Sequence, residues 1–451
     1  MNFPFWNVAI IGSGWVIGLI AIFHVIISHF AVGGGLLMPI LERQALKRGD
    51  DEWRVLLRRN MKFFLIITGV LGTVSGVGIW FSIGLAQPQG TSALIHIFVF
   101  FWAIEWVFFL IELASAAVYY YSWGRISDKL HLAVGWCYCI ASIATLFFIN
   151  GILSFMLTPG AEWIRAAWMD QAPRAVISGF FNPTYWPSLF IRILAAIALA
   201  SVFLLFSFSR TTPYISNRLK SIALRNVVLY FIPALLLLPI GLLWYLHMTP
   251  ESQQALLKIP QTGILKVGLW AIIGAGLTSA TAFILVFINP IQFGRKQAWI
   301  ILLLSASVVA ASEYSREILR KPYIIVGYMY SNGIREADVE KFNKEGFLDN
   351  SLWVRKNDYG VGEAMFRGQC MSCHTWNGYR SMEKLLKGKT IENLQTVLNM
   401  LYDYEPESLM THYMPPLVGT TAERRALAAW LIQKANLYLE NEEKNSEQKT
   451  E

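Results

Sequence analysis

Five residues near the C-terminal end have the types and spacing for one particular chemistry: Cys370-Met371-Ser372-Cys373-His374. Cys-x-x-Cys-His is the signature of covalent c-type haem attachment: both thiols add across the porphyrin vinyl groups while the adjacent imidazole binds one face of the iron. A zinc site and a redox dithiol use the same thiols. Zinc wants four ligands, and only His412 remains in this region, because Cys137 and Cys139 stand in a strongly apolar stretch. One covalent haem c is therefore expected, attached at Cys370 and Cys373 with His374 on the iron. Further on lies Tyr413-Met414-Pro415-Pro416. A Met before Pro in a loop is how small cytochromes c present a thioether to the second face of the iron, and Met ligation raises the potential. Met414 is the expected ligand, with Met410 and His412 as alternatives. Haem c is attached outside the energised membrane in bacteria, so the motif also assigns its domain a side.

The chain that must carry this motif is apolar. Of 451 residues, 55% are hydrophobic and 15% charged, with 28 Phe, 18 Tyr and 17 Trp, which is the composition of a polytopic membrane protein. A net charge of +8 suggests nucleic acid at first sight. The basic residues, however, sit in short loops between apolar runs, where Lys and Arg set membrane topology; lipid, not nucleic acid, is the expected surrounding. Two cysteines in the motif and two in an apolar run make no disulfide framework. The N-terminus lacks a positive n-region and the first apolar run is long enough to remain as an anchor, so no cleavable signal peptide is expected.

About twenty apolar residues cross a bilayer. Eight runs qualify: Trp15 to Leu41, Phe63 to Leu85, Leu94 to Tyr121, Leu132 to Leu157, Leu189 to Phe208, Val227 to Leu246, Ile264 to Ile288 and Trp299 to Leu319. Phe3 to Ile11, ended by Gly12-Ser13-Gly14, reads as an interfacial segment. The loops after the odd-numbered spans hold Arg43, Lys47, Arg48, Arg54, Arg58, Arg59 and Lys62, then Arg125 and Lys129, then Arg210, Arg218, Lys220 and Arg225, then Arg295 and Lys296. The alternate loops hold only Arg165, Arg174 and Lys258. By the positive-inside rule both termini lie outside, the side that haem c attachment requires. The expected fold is an all-α membrane bundle, N-out and C-out, over residues 1–323 of a bacterial cytoplasmic membrane protein. A polar linker follows at 324–351, a soluble cytochrome c domain at 352–440 and a disordered polar tail at 441–451. The domain's last helix opens on a capping box, Thr420-x-x-Glu423.

Ionisable residues inside spans cost about 2.5 to 3.5 kcal/mol each and are functional candidates by default. They are His24 and His29 in span 1, Glu105 and Glu112 in span 3, and Glu313, Arg316 and Glu317 in span 8. Arg192 and Lys266 lie near outer span ends, where they can snorkel. His96, His131 and His247 sit at span ends and need no special role. Span 2 offers Gly69, Gly72 and Gly76, a small-residue face suited to a flat cofactor or a neighbouring helix, and Gly33-Gly34-Gly35 follows His29. From these residues alone, intramembrane haem and a proton or ion relay both stand.

Spans 1 to 8 resemble subunit I of the cytochrome bd oxygen reductases. The stretches that carry this are Phe23-His24-Val25, Gly69-Val70 with Ser75-Gly76, Ala103-Ile104-Glu105 with Glu112, Trp123-Gly124-Arg125, Asn150-Gly151, and Glu317-x-x-Arg320-x-Pro322-Tyr323. The resemblance implies that His24 and Glu317 are axial ligands of two close intramembrane haems, b plus b or d. It implies proton delivery through Glu105 and Glu112, haem-side cations in Arg316 and Arg320, and a second membrane subunit. His29 has no counterpart and is an additional ligand or a polar residue at a haem edge. There are departures. Where the family's third haem needs a His in span 5 and a Met in span 7, Arg192 and Ile264-Leu265-Lys266 stand; neither cation is an ordinary iron ligand, so that haem is expected to be absent. The outer quinol loop is reduced to Met248 to Gly263, and the ninth span is replaced by the cytochrome c domain. The expected function is electron transfer between haem c and the haem pair, oxidase-like, with a periplasmic cytochrome or other redox protein as donor or acceptor. A relay subunit of a larger respiratory complex, without oxygen chemistry, is the alternative; a non-haem transporter with a sensory cytochrome domain is the third class.

Overall fold

The computed structural model describes residues 6–209, 215–250, 253, 264–320, 324–354, 359–404 and 414–447, without the side chains of 264, 265, 317, 320 and 437–447. Among the described residues eight helices are long and apolar enough to cross a membrane. They are α1 (Ser13–Arg48), α2 (Asp51–Ala86), α3 (Val99–Tyr121), α4 (Asp128–Phe155), α5 (Tyr185–Phe208), α6 (Asn217–Leu246), α7 (Ile264–Ile288) and α8 (Arg295–Arg320). Among the described residues there is no strand, only isolated bridges around Met329.

α1 organises the bundle. At 36 residues it is about 54 Å long, so it outreaches a hydrocarbon core of about 30 Å. It ends at Gly49, in the left-handed region at φ 61°, after Lys47 and Arg48 in its last turn. Asp50 then caps α2 by accepting from the Trp53 amide at 3.1 Å. α1 contacts α2, α4, α5 and α8. The three glycines after His29 make this possible. A Cβ on Gly33 would lie 2.0 Å from the Ala196 carbonyl oxygen of α5, one on Gly34 2.5 Å from the Phe64 ring of α2, and one on Gly35 2.2 Å from the Tyr138 ring of α4. The triplet is a three-way helix crossing and leaves no room for a cofactor ring.

α2 is α-helical at both ends with a π-helical turn at Ile67–Gly72. Such turns shift the register of the faces beyond them, and here the shifted face is the one that meets α1. A Cβ on Gly72 would lie 3.6 Å from Ile27, and one on Gly76 3.5 Å from His24. α6 is likewise interrupted, by a 3₁₀ stretch Ile232–Leu236 carrying Pro233 near its start.

Beyond α4 the loops are built rather than slack. The Asn150 amide donates to the Tyr185 carbonyl at 3.0 Å, and Asn182 donates to the Ser154 hydroxyl at 2.9 Å. Trp163 is fully buried against Phe155. The segment read as a linker is taken up by both neighbours. Ile325 and Met329 are buried with Phe155 and Trp163, and the Val326 amide donates to the Met156 carbonyl at 3.0 Å. Phe347 and Leu348 instead belong to the core of the C-terminal domain, because apolar side chains spaced along a polar segment still find partners.

That domain packs α9 (Val361–Gln369) against α11 (Thr421–Glu447), with α10 (Ile391–Asp403) beside it. A Cβ on Gly362 would lie 2.4 Å from both the Ala426 carbonyl oxygen and the Trp430 Cβ, so only glycine permits this crossing. The capping box of α11 forms: the Thr420 amide donates to Glu423 at 2.8 Å and the Glu423 amide to the Thr420 hydroxyl at 3.3 Å. Glu423 also accepts from the amides of Phe347 and Leu348, at 3.0 and 2.9 Å. α11 runs on to Glu447, into the polar segment read as a disordered tail.

Candidate functional site

α9 ends where the Cys-x-x-Cys-His motif begins. The chain turns over it, with the amides of Cys373 and His374 donating to the Cys370 carbonyl at 3.1 and 2.9 Å. The imidazole is oriented by its Nδ1, which donates to the Arg380 carbonyl at 2.8 Å. Arg380 itself is held at φ 47°. This bond assigns the proton to Nδ1 and presents Nε2 as the ligating nitrogen, the usual way a backbone carbonyl sets a metal-binding tautomer. Burial holds the His374 pKa below its ordinary value, so the imidazole is neutral near pH 7.

Burial, with Cys373 close by, pushes the Cys370 thiol up to about 12, the opposite of the depressed thiol of a reactive Cys-x-x-Cys. Among the described residues no group of three or more His, Cys, Asp or Glu converges on a metal-sized point. The segment that carries Met414 is tied to the end of α9 four residues further on. The Gln369 side chain makes a reciprocal pair with Val418, donating to its carbonyl and accepting from its amide, each at 2.9 Å. Met414, Cys370 and Trp376 then pack against one buried cluster. Two thiols, one oriented imidazole and one thioether in a common apolar setting fit a covalently held haem. Met410 and His412 lie outside the described residues.

In the bundle, His24 faces α2. Its Nδ1 pairs with the Ser75 hydroxyl at 2.9 Å, while Ser75 is itself bonded to the Leu71 carbonyl at 2.6 Å. Among the described residues no hydrogen bond engages Nε2. One turn deeper, His29 is buried and its Nδ1 lies 3.0 Å from the Val25 carbonyl. Arg192 of α5 and Glu313 of α8 are both close enough to His29 to act on it electrostatically, and Glu313 also acts on His24. Arg316 is paired within its own helix, its Nε donating to Glu313 at 2.9 Å. The side chains of Glu317 and Arg320 lie outside those described, although both residues belong to the last turn of α8.

The two acids of α3 fall on a stripe. Glu105, Glu112 and Tyr119 are seven residues apart in sequence, and so are His131, Tyr138 and Thr145 on the facing α4. Seven residues are close to two helical turns, so each set lines one face. The Tyr138 hydroxyl donates to Glu112 at 3.0 Å, and Thr145 also bonds to Glu112. At the end of the stripe, Glu42 of α1 accepts from the Tyr119 hydroxyl at 2.5 Å and pairs with His131 Nδ1 at 2.6 Å. His131 Nε2 lies 2.8 Å from the Tyr119 carbonyl, and all three residues are buried.

Residues 13–242 match the family described as cytochrome bd terminal oxidase subunit I. This chain belongs to that family. A solved structure, that of bd oxidase from Geobacillus thermodenitrificans, aligns with a TM-score of 0.58 and 18% identity, over 71% of this chain and 89% of that chain, which is a likeness of fold. No curated protein matches the sequence. Membership of the bd family makes the bundle a membrane haem protein of an oxidase-like, electron-transferring kind. The bd-family match takes in α1 to α6, and with them His24, His29, Glu105 and Glu112; the Cys-x-x-Cys-His domain lies beyond it.

Within this bd-family bundle, sequence reasoning missed the Glu42, Tyr119 and His131 cluster and gave His131 no role. The signal that would have found it is the seven-residue repeat on two consecutive spans. Its third partner, Glu42, carries no such mark, because it joins from α1.

Proposed function

We propose that this protein transfers electrons between a covalent haem c in its C-terminal domain and a pair of haems, b plus b or d, in its membrane bundle, and reduces dioxygen to water. The observation that carries this reading is the oriented turn at Cys370–His374, its imidazole bonded through Nδ1 to Arg380, in a chain whose bundle belongs to the bd family. Haem supplies one-electron chemistry and, in the bundle, a site for dioxygen. The rest falls to the chain's own residues.

Cys370 and Cys373 hold the haem edge, and His374 and Met414 take its iron. His24 and Glu317 are the proposed ligands in the bundle, with Arg316 and Arg320 as cations beside the propionates; His29 is the extra polar group. Reduction of dioxygen to water consumes four protons, and Glu112, held between Tyr138 and Thr145, with Glu105 on the same face, forms the proposed path. The basic loops support an N-out and C-out arrangement, which puts the haem c domain on the periplasmic side. A periplasmic cytochrome or another redox protein is the proposed electron partner there, and a second membrane subunit completes the assembly.

Pyridine haemochrome analysis of the purified protein, with oxygen uptake from reduced cytochrome c, tests this. One haem c per two membrane haems and cyanide-sensitive uptake are expected. Full haem content without uptake in the intact complex would instead identify a relay subunit, and no intramembrane haem at all would leave a transporter. Glu317→Ala is expected to remove one membrane haem and spare haem c; an unchanged spectrum would refute that ligand.

A further inference from the structure

The loop that follows the motif is docked on the membrane bundle. The Tyr379 amide donates to the Ile10 carbonyl at 2.8 Å, and a Cβ on Gly378 would lie 1.9 Å from that same oxygen, so the two backbones touch with no room for a side chain. The loop is stiff, because the Thr375 hydroxyl donates to the Tyr379 carbonyl at 2.9 Å and accepts from the Gly378 amide at 3.0 Å. At its tip the Tyr379 ring meets Trp15 of α1 edge-on, with centroids 5.8 Å apart. On its other side Trp15 packs against Tyr314 of α8, centroids 5.4 Å apart. Tyr314 adjoins Glu313, which acts on His24, and stands three residues before Glu317. His24 itself is nine residues further along α1 than Trp15, about 14 Å at 1.5 Å per residue.

The geometry points to Trp15 as the positioning residue that couples the haem c loop to the membrane haems, through the contact series Tyr379, Trp15, Tyr314. This rests on the function proposed above. The step is the passage of one electron: one iron is oxidised by one unit, the other is reduced by one unit, and no bond or proton is exchanged. Trp15 is not itself oxidised. It sets the distance and fills the gap with packed atoms.

The test uses the full-length protein in its purified complex. Gly378→Ala is expected to strip the Tyr379 amide of hydrogen-exchange protection. It should leave all haems bound and slow electron equilibration between haem c and the membrane haems, read by stopped-flow absorption, about tenfold or more, as expected for a small misplacement of reacting groups. Trp15→Leu is expected to slow equilibration and Trp15→Phe to restore most of it, while reduction of haem c by an external donor is unchanged in both. Equilibration unaltered in Gly378→Ala and Trp15→Leu, with normal haem content, would overturn the proposal. A wild-type protein lacking covalent haem c would overturn the functional reading, and the electron role of Trp15 with it; protection of the Tyr379 amide would still report the docking.

Discussion

Met414, the proposed second ligand of haem c, lies on a segment that the reciprocal pair between Gln369 and Val418 ties to the end of α9. The thioether is a weak, soft ligand that favours the reduced iron, so its replacement by a stronger nitrogen donor has a defined direction. Met414→His is expected to lower the midpoint potential of haem c while leaving the haem covalently attached, measured by redox titration of the c-type absorption. An unchanged potential would exclude Met414 as the ligand. The proposed attachment residues stand out in the sequence because Cys-x-x-Cys-His is a local pattern. The Arg380 carbonyl that orients His374 was not, because a backbone acceptor leaves no mark on residue identity.

At the scale of elements, the bundle depends on how closely α1 can approach its neighbours. Gly35→Ala places a methyl against the Tyr138 ring, which is itself anchored by bonds to the Ala31 carbonyl and Glu112. It should therefore destabilise by about 1–3 kcal/mol, the usual cost of overpacking. Gly49→Ala, where a Cβ meets nothing within 4 Å but φ is positive, is the strain-only control. Both are read by thermal unfolding in detergent. A second staple joins α1, α3 and α4 through Glu42, Tyr119 and His131. His131→Phe removes both ring nitrogens and leaves a Glu42 oxygen without its partner, with an expected loss of about 1–3 kcal/mol. The companion Glu42→Gln, His131→Phe double variant should lose less than the sum of the single changes, because the pair is coupled. Additive losses would show that these residues do not act together.

For the whole molecule, the distribution of Lys and Arg argues that the loop between α1 and α2 and the haem c domain lie on opposite sides of the membrane. Single cysteines introduced at Asp51 and at Lys387, in a background lacking Cys137 and Cys139, should differ in labelling by a membrane-impermeant thiol reagent applied to intact spheroplasts. Lys387 should react and Asp51 should not. The reverse pattern would overturn the topology. The domain's side matters for the chemistry, since its loop meets the N-terminal end of α1, where Trp15 and Tyr314 lie together.

The eight spans, the capping box at Thr420 and the bd-family resemblance could be read from the sequence by itself, because each depends on length, period or a short ordered pattern along one stretch of chain. Only the tertiary structure decided what the apposed faces do. It made Gly33-Gly34-Gly35 a three-way helix crossing and joined His131 to Glu42 across some ninety residues. It also showed that the polar stretch from Ile324 to Ser351 is shared between the bundle and the C-terminal domain. These outcomes depend on the rotation and crossing of whole helices, which packing determines collectively and which no single helix encodes in its own periodicity.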